Sequence, residues 1–252
     1  MKVNLVGSTF NLGELLWRYG VEAYHNCLNP EFYDLTLIGG LWDLKEENMK
    51  KPCIALAIGS DVYRKDVGMR LDLLKEVDML LLAHEAMYKF IYPYNFKYIK
   101  HAVWKVPFDS KMFFQWKPSF QNHGKEPSRD TILYCLSPLH MNPNKYIEFI
   151  RENPFKKITF LGPFYQDFLM ERFPNVVSVR SVSYNCMAQF YKTHKEYRLF
   201  CVNVDMISIM VCEALYMGLK VYGNDEEITK IPPERFENVA IPKLIKYMEA
   251  II

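Results

Sequence analysis

Short apolar runs suited to β-strands alternate with helical patterns along this chain, stop across one irregular stretch, and then begin again. In the first half KVNLVG, DLTLIGG, CIALAIG, MLLLAH and HAVWKVP read as strands, with GELLWRYGVEAYH and VGMRLDLLKEV as helical segments between them. In the second half TILYCL, KITFLG, VVSVRS, RLFCVN and LKVYG read as strands, and NKYIEFIREN, YQDFLMERF and NCMAQFYKTH as helices. Near-continuous apolar strands separated by helices call for parallel pairing, since a parallel connection needs a crossover and the crossover helix covers a sheet face. Between the two halves, residues 108–129 lose all periodicity and carry Pro118, Gly124 and Pro127, so they read as a linker.

The chain has 252 residues, enough for one large domain or two small ones with genuine cores. The pattern divides it into a Rossmann-like domain over 1–107, the linker 108–129, a second Rossmann-like domain over 130–240 and a C-terminal helix over 241–252. With 31 basic and 29 acidic residues the net charge is +2, so no global field favours nucleic acid as a partner. The six cysteines form no CxxC pair and lie mostly among apolar residues, which predicts reduced, packed thiols. The six histidines are scattered without metal-ligand spacing, so no metal site is expected. There is no G-x-S-x-G elbow and no cysteine in an electropositive loop, which disfavours ester and peptide hydrolysis. No run approaches the roughly 18 apolar residues of a membrane span, and MKVNLVGS enters a strand at once rather than a signal sequence. A cytoplasmic protein is expected.

The most specific stretch is DMISIMVCEALYMGLKVYG at 205–223, which sets Asp205 and Glu213 around a helix start and follows them with a strand. Ser208 suits the helix N-cap and Gly218 its C-terminal stop. Glu213 then sits on a helix whose other faces are apolar. Such a carboxylate must point into a cleft or find a hydrogen-bond partner, because an uncompensated buried charge costs several kcal/mol or is neutralised. The bland readings are a surface charge paired with lysine for Glu213 and a helix cap for Asp205.

Asp205, seven intervening residues, Glu213, and then the E-A-x-x-x-G-x-x-V order of Glu213, Ala214, Gly218 and Val221 resemble the acidic pair of glycosyltransferase family four, the retaining enzymes of the GT-B fold. Three further matches fall in the same order: IGSD at 58–61 resembles a G-[ST]-D turn, VPFDS at 106–110 with Phe113 resembles the segment that opens the interdomain link, and FLG at 160–162 resembles a strand end. The resemblance implies an α/β, GT-B-like protein: two Rossmann-like parallel-sheet domains facing a central cleft, the first on the acceptor side and the second on the nucleotide-sugar side. It implies transfer of a sugar from a nucleotide-sugar co-substrate to a glycan, lipid or protein acceptor, with retention and without a metal or other cofactor. Asp205, near the sugar, and Asp61, in the N-terminal wall, are the candidate catalytic carboxylates, while Glu213 is expected to hydrogen-bond the donor ribose. Asp205 stands where the family pattern has the longer Glu.

The family also carries an Arg after the first strand of the C-terminal domain and a Lys-Gly shortly beyond it, which hold the donor diphosphate. Here SPLHMNPNK follows at 137–145, and the Arg is absent. Ser137, His140 and Lys145 are the candidate replacements, with Gly162 at the FLG strand end and Gly7 and Gly13 in the first loop, where backbone N–H groups and helix termini approach phosphates. A glycine-containing strand-to-helix turn is expected in any α/β protein, and Asp61 would serve equally well as a helix cap. Asp109 in VPFDS reads as a surface turn residue, and His84 as a capping or packed imidazole near the cleft. The stretch 89–105 interleaves Lys89, Lys97, Lys100 and Lys105 with six aromatic residues, a composition suited either to a surface for anionic lipid (peripheral membrane contact), glycan or single-stranded nucleic acid or to strands with core aromatics and solvated lysines. The rival functions are a noncatalytic GT-B-like binding protein and a nucleotide-sugar epimerase.

Overall fold

The computed structural model describes residues 1–7, 11–49, 52–57, 71–87, 99–114, 128–135, 142–162, 166–183, 186–200 and 208–252. The chain divides into two compact units, Met1–Asp109 with Pro233–Ile252, and Ser110–Pro232.

The first unit holds strands β1 (Lys2–Gly7), β2 (Glu22–His25), β3 (Leu35–Gly39), β4 (Cys53–Ala57), β5 (Met79–Leu82) and β6 (His101–Val103), with helix α1 (Leu12–Arg18) after β1. The strands form one sheet in the order β2-β1-β3-β4-β5-β6, with every neighbour parallel. Every residue of β3, β4 and β5 is buried, as expected of central parallel strands covered on both faces. Helical periodicity does not run through GELLWRYGVEAYH as the sequence suggests. Gly20 adopts φ +80°, the left-handed conformation that ends a helix, and the following EAYH pairs with β1 as a half-exposed edge strand.

The second unit begins with the short helix α2 (Ser110–Phe114) and continues through β7 (Arg129–Tyr134), α3 (Pro143–Glu152), β8 (Ile158–Leu161), α4 (Gln166–Arg172), β9 (Val176–Val179), α5 (Met187–Lys192), β10 (His194–Leu199), α6 (Ile209–Tyr216), β11 (Lys220–Gly223) and β12 (Glu226–Ile228). Its sheet has the order β12-β11-β10-β7-β8-β9, parallel except for the β11–β12 hairpin. The hairpin turns through Asn224 and Asp225, both at positive φ (49° and 72°), as a tight two-residue hairpin loop requires. Strand β10 begins earlier than RLFCVN suggests. Tyr197 and Leu199 bury one face of HKEYRL, and His194 is buried on the other with its ring bonded to the Thr159 hydroxyl, so the strand claims residues that read as the end of a helix.

Helix α7 (Glu237–Glu249) belongs to the first unit. The sequence-derived boundaries placed 233–240 with the second domain and left 108–129 as bare linker; the packing divides the chain elsewhere. Trp104 Nε1 donates to Ala240 O (2.8 Å), Arg235 donates through its guanidinium to Val106 O (2.9 Å), and Phe108 N donates to Arg235 O (3.1 Å). Phe108 and Phe236 pack edge to face at 5.2 Å. These contacts join the end of the chain to 104–108, where local sequence patterns cannot register them. Within 108–129 the residues Ser110–Phe114 form a helix, and Phe113 is fully buried with its ring 6.2 Å from that of Tyr191 of α5.

Candidate functional site

Strand order decides where a ligand can sit. In the second sheet the chain runs outward from β7 through β8 to β9, and outward on the opposite side from β10 through β11 to β12, so the direction reverses between β7 and β10. In open α/β sheets the crevice outside the strand carboxyl ends at such a reversal is the usual binding place, because the diverging connections leave it uncovered. Lys145 lies in the first turn of α3, which follows β7; Gly162 follows β8 directly; Glu213 lies on α6, which follows β10. These three candidates therefore belong to connections leaving the carboxyl edge of one sheet. Ser137, His140 and Asp205 belong to 136–141 and 201–207, which follow β7 and β10 in sequence and lie outside the described residues.

Glu213 is 2% exposed. Its helix starts at Ser208, whose hydroxyl accepts from Val211 N (3.4 Å), and stops at Gly218 (φ +87°), as the sequence predicts. The partner a buried carboxylate requires is Tyr191 of α5. The Tyr191 hydroxyl stands 3.0 Å from Glu213 Oε2 and 3.3 Å from Met210 O. Its single proton goes to the carboxylate, since a charged acceptor binds it more strongly than a carbonyl. Burial first, and then the negative charge of Glu213, push the Tyr191 phenol well above its ordinary range, so it remains a donor. Phe113 and Tyr197 flank the ring with centroids at 6.2 and 6.5 Å.

Lys145 is placed by Asn142, the N-cap of α3, whose side chain accepts from Lys145 N (3.4 Å), with Pro143 at the first helical position. The Lys145 ammonium is 41% exposed and donates to Asp225 Oδ2 (3.2 Å) in the β11–β12 turn. Asp225 also lies 3.8 Å from Arg198, whose guanidinium stacks between Phe149 (4.8 Å) and Tyr222 (4.0 Å) and donates to Glu196 Oε1 (3.1 Å). The cations on this face therefore have carboxylate partners already. Gly162 has a packing reason of its own. At φ +155°, a Cβ there would lie 1.9 Å from Cys135 O, so only glycine lets the chain leave β8 past the end of β7.

In the first unit, the direction of the chain reverses between β1 and β3, and Gly7 pairs with Gly39 at the ends of those strands. Gly7 has φ +74°, and a Cβ there would meet Asp43 at 2.1 Å and Gly39 O at 2.8 Å. A Cβ on Gly13 would lie 2.7 Å from the His25 ring, so this glycine lets α1 approach the sheet. Asp61 lies outside the described residues.

Asp109 is not the surface turn residue that VPFDS suggests. It is 1% exposed and accepts from both terminal nitrogens of Arg18 in α1 (2.8 and 3.0 Å) and from Asn11 (3.2 Å). The hydrogen bond to Asp109 drives the Arg18 pKa above its already high value, and Glu14 pairs with the same guanidinium. In the aromatic and basic stretch, Trp104 is buried and Lys105 is paired with Glu234 (3.3 Å); residues 89–98 lie outside the described residues. His84 lines a pocket of about 380 Å³ with Glu85, Lys105, Glu234 and Lys243, all within the first unit. Among the described residues, no three His, Cys, Asp or Glu side chains gather as a metal ion requires, and no helix is long and apolar enough to cross a membrane.

No family model matches the sequence, and no curated protein matches it. Solved structures do match. HepE of Anabaena, in complex with UDP and glucose, is 11% identical with a TM-score of 0.60, over 100% of this chain and 91% of that one. AviGT4, a glycosyltransferase involved in avilamycin A biosynthesis, is 12% identical with a TM-score of 0.61, over 100% of this chain and 98% of that one. The UDP-GlcNAc 2-epimerase of Methanocaldococcus jannaschii is 8% identical with a TM-score of 0.54, over 99% of this chain and 100% of that one. The fold is GT-B. Each unit of this GT-B protein carries its own mainly parallel sheet and its own reversal point. Sequence reasoning missed Tyr191, Arg198, Asp225 and the Arg18–Asp109 pair. Tyr191 and Glu213 are 22 residues apart on different helices, so no spacing rule links them.

Proposed function

We propose that this protein is a glycosyltransferase that takes its sugar from a nucleotide-linked donor held by the second unit. The observation that carries the reading is the reversal between β7 and β10, with Glu213 buried on the helix that follows β10. A carboxylate fixed on that helix suits hydrogen bonding to a ribose, and the connections after β7 and β10 suit a diphosphate approached by backbone N–H groups. The GT-B fold supports the reading, as do the complexes of HepE with UDP and glucose and with UDP-glucose. Fold alone hosts other activities, so the residues carry the argument.

The finer reading is retention at the anomeric carbon without an obligatory metal, following the resemblance around Glu213. Asp205 would lie near the sugar, with Ser137, His140 and Lys145 beside the leaving diphosphate. Lys145 would leave Asp225 to reach it. Both groups are partly exposed, so that exchange costs only about 1 kcal/mol. Gly162, Gly7 and Gly13 serve close packing, where a Cβ would meet Cys135 O, Asp43 and the His25 ring.

The test is titration with UDP-, GDP- and ADP-linked sugars, followed by product analysis with and without glycan, lipid and protein acceptors, in buffer with EDTA and with magnesium. Transfer that survives EDTA, with the anomeric configuration kept, is the expected result. Interconversion of the donor without acceptor would replace transfer by epimerisation, and absence of nucleotide binding would leave a noncatalytic GT-B protein.

A further inference from the structure

We propose that Tyr191 is a positioning residue that aims the Glu213 carboxylate at the ribose of the nucleotide, and so sets the preference for a ribose over a deoxyribose donor. The proposal rests on the donor reading given above. A glutamate side chain has three rotatable bonds, and a carboxylate that must meet two adjacent hydroxyls has to be fixed in rotation as well as in place. Burial holds the stem: Glu213 is 2% exposed on a helix whose Val211, Cys212 and Ala214 are fully buried too. Packing does not fix the carboxylate plane. The hydroxyl of Tyr191, 3.0 Å from Oε2, restrains it.

The Tyr191 hydroxyl cannot itself be displaced easily. Its ring is fully buried between Phe113 and Tyr197, so the phenol has one accessible orientation, and the second oxygen within reach, Met210 O at 3.3 Å, lies on the same helix as Glu213. The high proton affinity of the phenol keeps the donor present across the neutral range. Two rigid helices, α5 and α6, are thus joined at the carboxylate, and the angle of the acid follows from their packing rather than from the nucleotide. An acid held in advance loses less entropy on binding, which is how a remote hydroxyl contributes to recognition.

Calorimetric titration with UDP, GDP and ADP, each beside its 2′,3′-dideoxy form, tests this on the intact chain. For the nucleotide that binds best, the wild type should prefer the ribose form by about tenfold or more, as expected for hydrogen bonds to a charged group. Glu213→Gln should bring that ratio close to one. Tyr191→Phe, which keeps the ring, should lower the ratio several-fold while leaving affinity for the dideoxy form unchanged, and should have no further effect in the Glu213→Gln background. The dideoxy affinity reports whether the variant still folds. A Tyr191→Phe protein that loses both forms equally, or that keeps the wild-type ratio, overturns the role of Tyr191 while leaving that of Glu213 intact. A wild type that ignores the ribose hydroxyls, or a Glu213→Gln ratio that does not move, overturns both.

Discussion

Arg18 and Asp109, 91 residues apart in sequence, meet through two hydrogen bonds of 2.8 and 3.0 Å that fasten the first helix to the last residue before the chain enters the second unit. Asn11, at the end of the first loop, joins the same carboxylate. The aspartate is buried, whereas the arginine is 18% exposed and also pairs with Glu14, so it is removal of the arginine that leaves a buried charge without its ion pair. Arg18→Met should therefore destabilise the first unit by about 3 kcal/mol, whereas Arg18→Met with Asp109→Leu should recover most of that loss. Urea unfolding of the two variants checks this. Equal destabilisation by the single and double changes would show that the pair is not the cause.

Asp225 holds the Lys145 ammonium at 3.2 Å. If that cation serves a diphosphate, Asp225 competes with the ligand for it. Asp225→Asn should strengthen binding of the preferred nucleoside diphosphate about two- to fivefold, and Lys145→Ala should weaken it by a similar factor, the scale of a partly exposed ion pair. Both effects should shrink at high salt. Unchanged affinity in both variants would remove Lys145 from the donor site.

Gly162 combines φ +155° with a Cβ position 1.9 Å from Cys135 O. The atom in the way is backbone, which cannot rotate aside. Gly162→Ala should cost about 3 kcal/mol or more in stability, and any loss of activity should follow the loss of folded protein. A thermal shift of under a degree with full loss of nucleotide binding would instead assign Gly162 to ligand contact alone.

His194 gives the stability a defined pH dependence. It is 1% exposed; Nδ1 donates to Phe190 O (2.9 Å), and Nε2 accepts from the Thr159 hydroxyl (2.8 Å), so the ring is held neutral. Burial lowers its pKa from 6.5 to about 4, with Arg129 acting in the same direction and the Phe190 carbonyl opposing. Because the unfolded chain takes up the proton first, stability is full above pH 6.5 and falls as pH drops toward 4. The loss should reach about 2 kcal/mol by pH 5. Denaturant unfolding at pH 7.5 and 5, in wild type and His194→Asn, measures it. A slope that persists in the variant would assign it to other groups.

Much of the fold was legible in the chain because parallel strands buried on both faces leave uninterrupted apolar runs, as in LTLIG, CIALA and ITFL. Helix ends set by one residue were legible too: Ser208 and Gly218 act as their chemistry predicts. The edge strand EAYH, the shifted start of β10 and the return of α7 to the first unit were not, since each depends on a partner far along the chain.

The sequence by itself determined the type of each layer and the burden on Glu213, a charge on an apolar helix that must find a partner. Only the tertiary structure decided which groups answer such charges. Tyr191 meets Glu213, Arg18 meets Asp109, and Asp225 meets Lys145 through contacts spanning 22, 91 and 80 residues. The physical reason is range. Periodicity and capping act within one or two turns of the backbone, whereas the partner of a buried charge is chosen by the packing of whole elements.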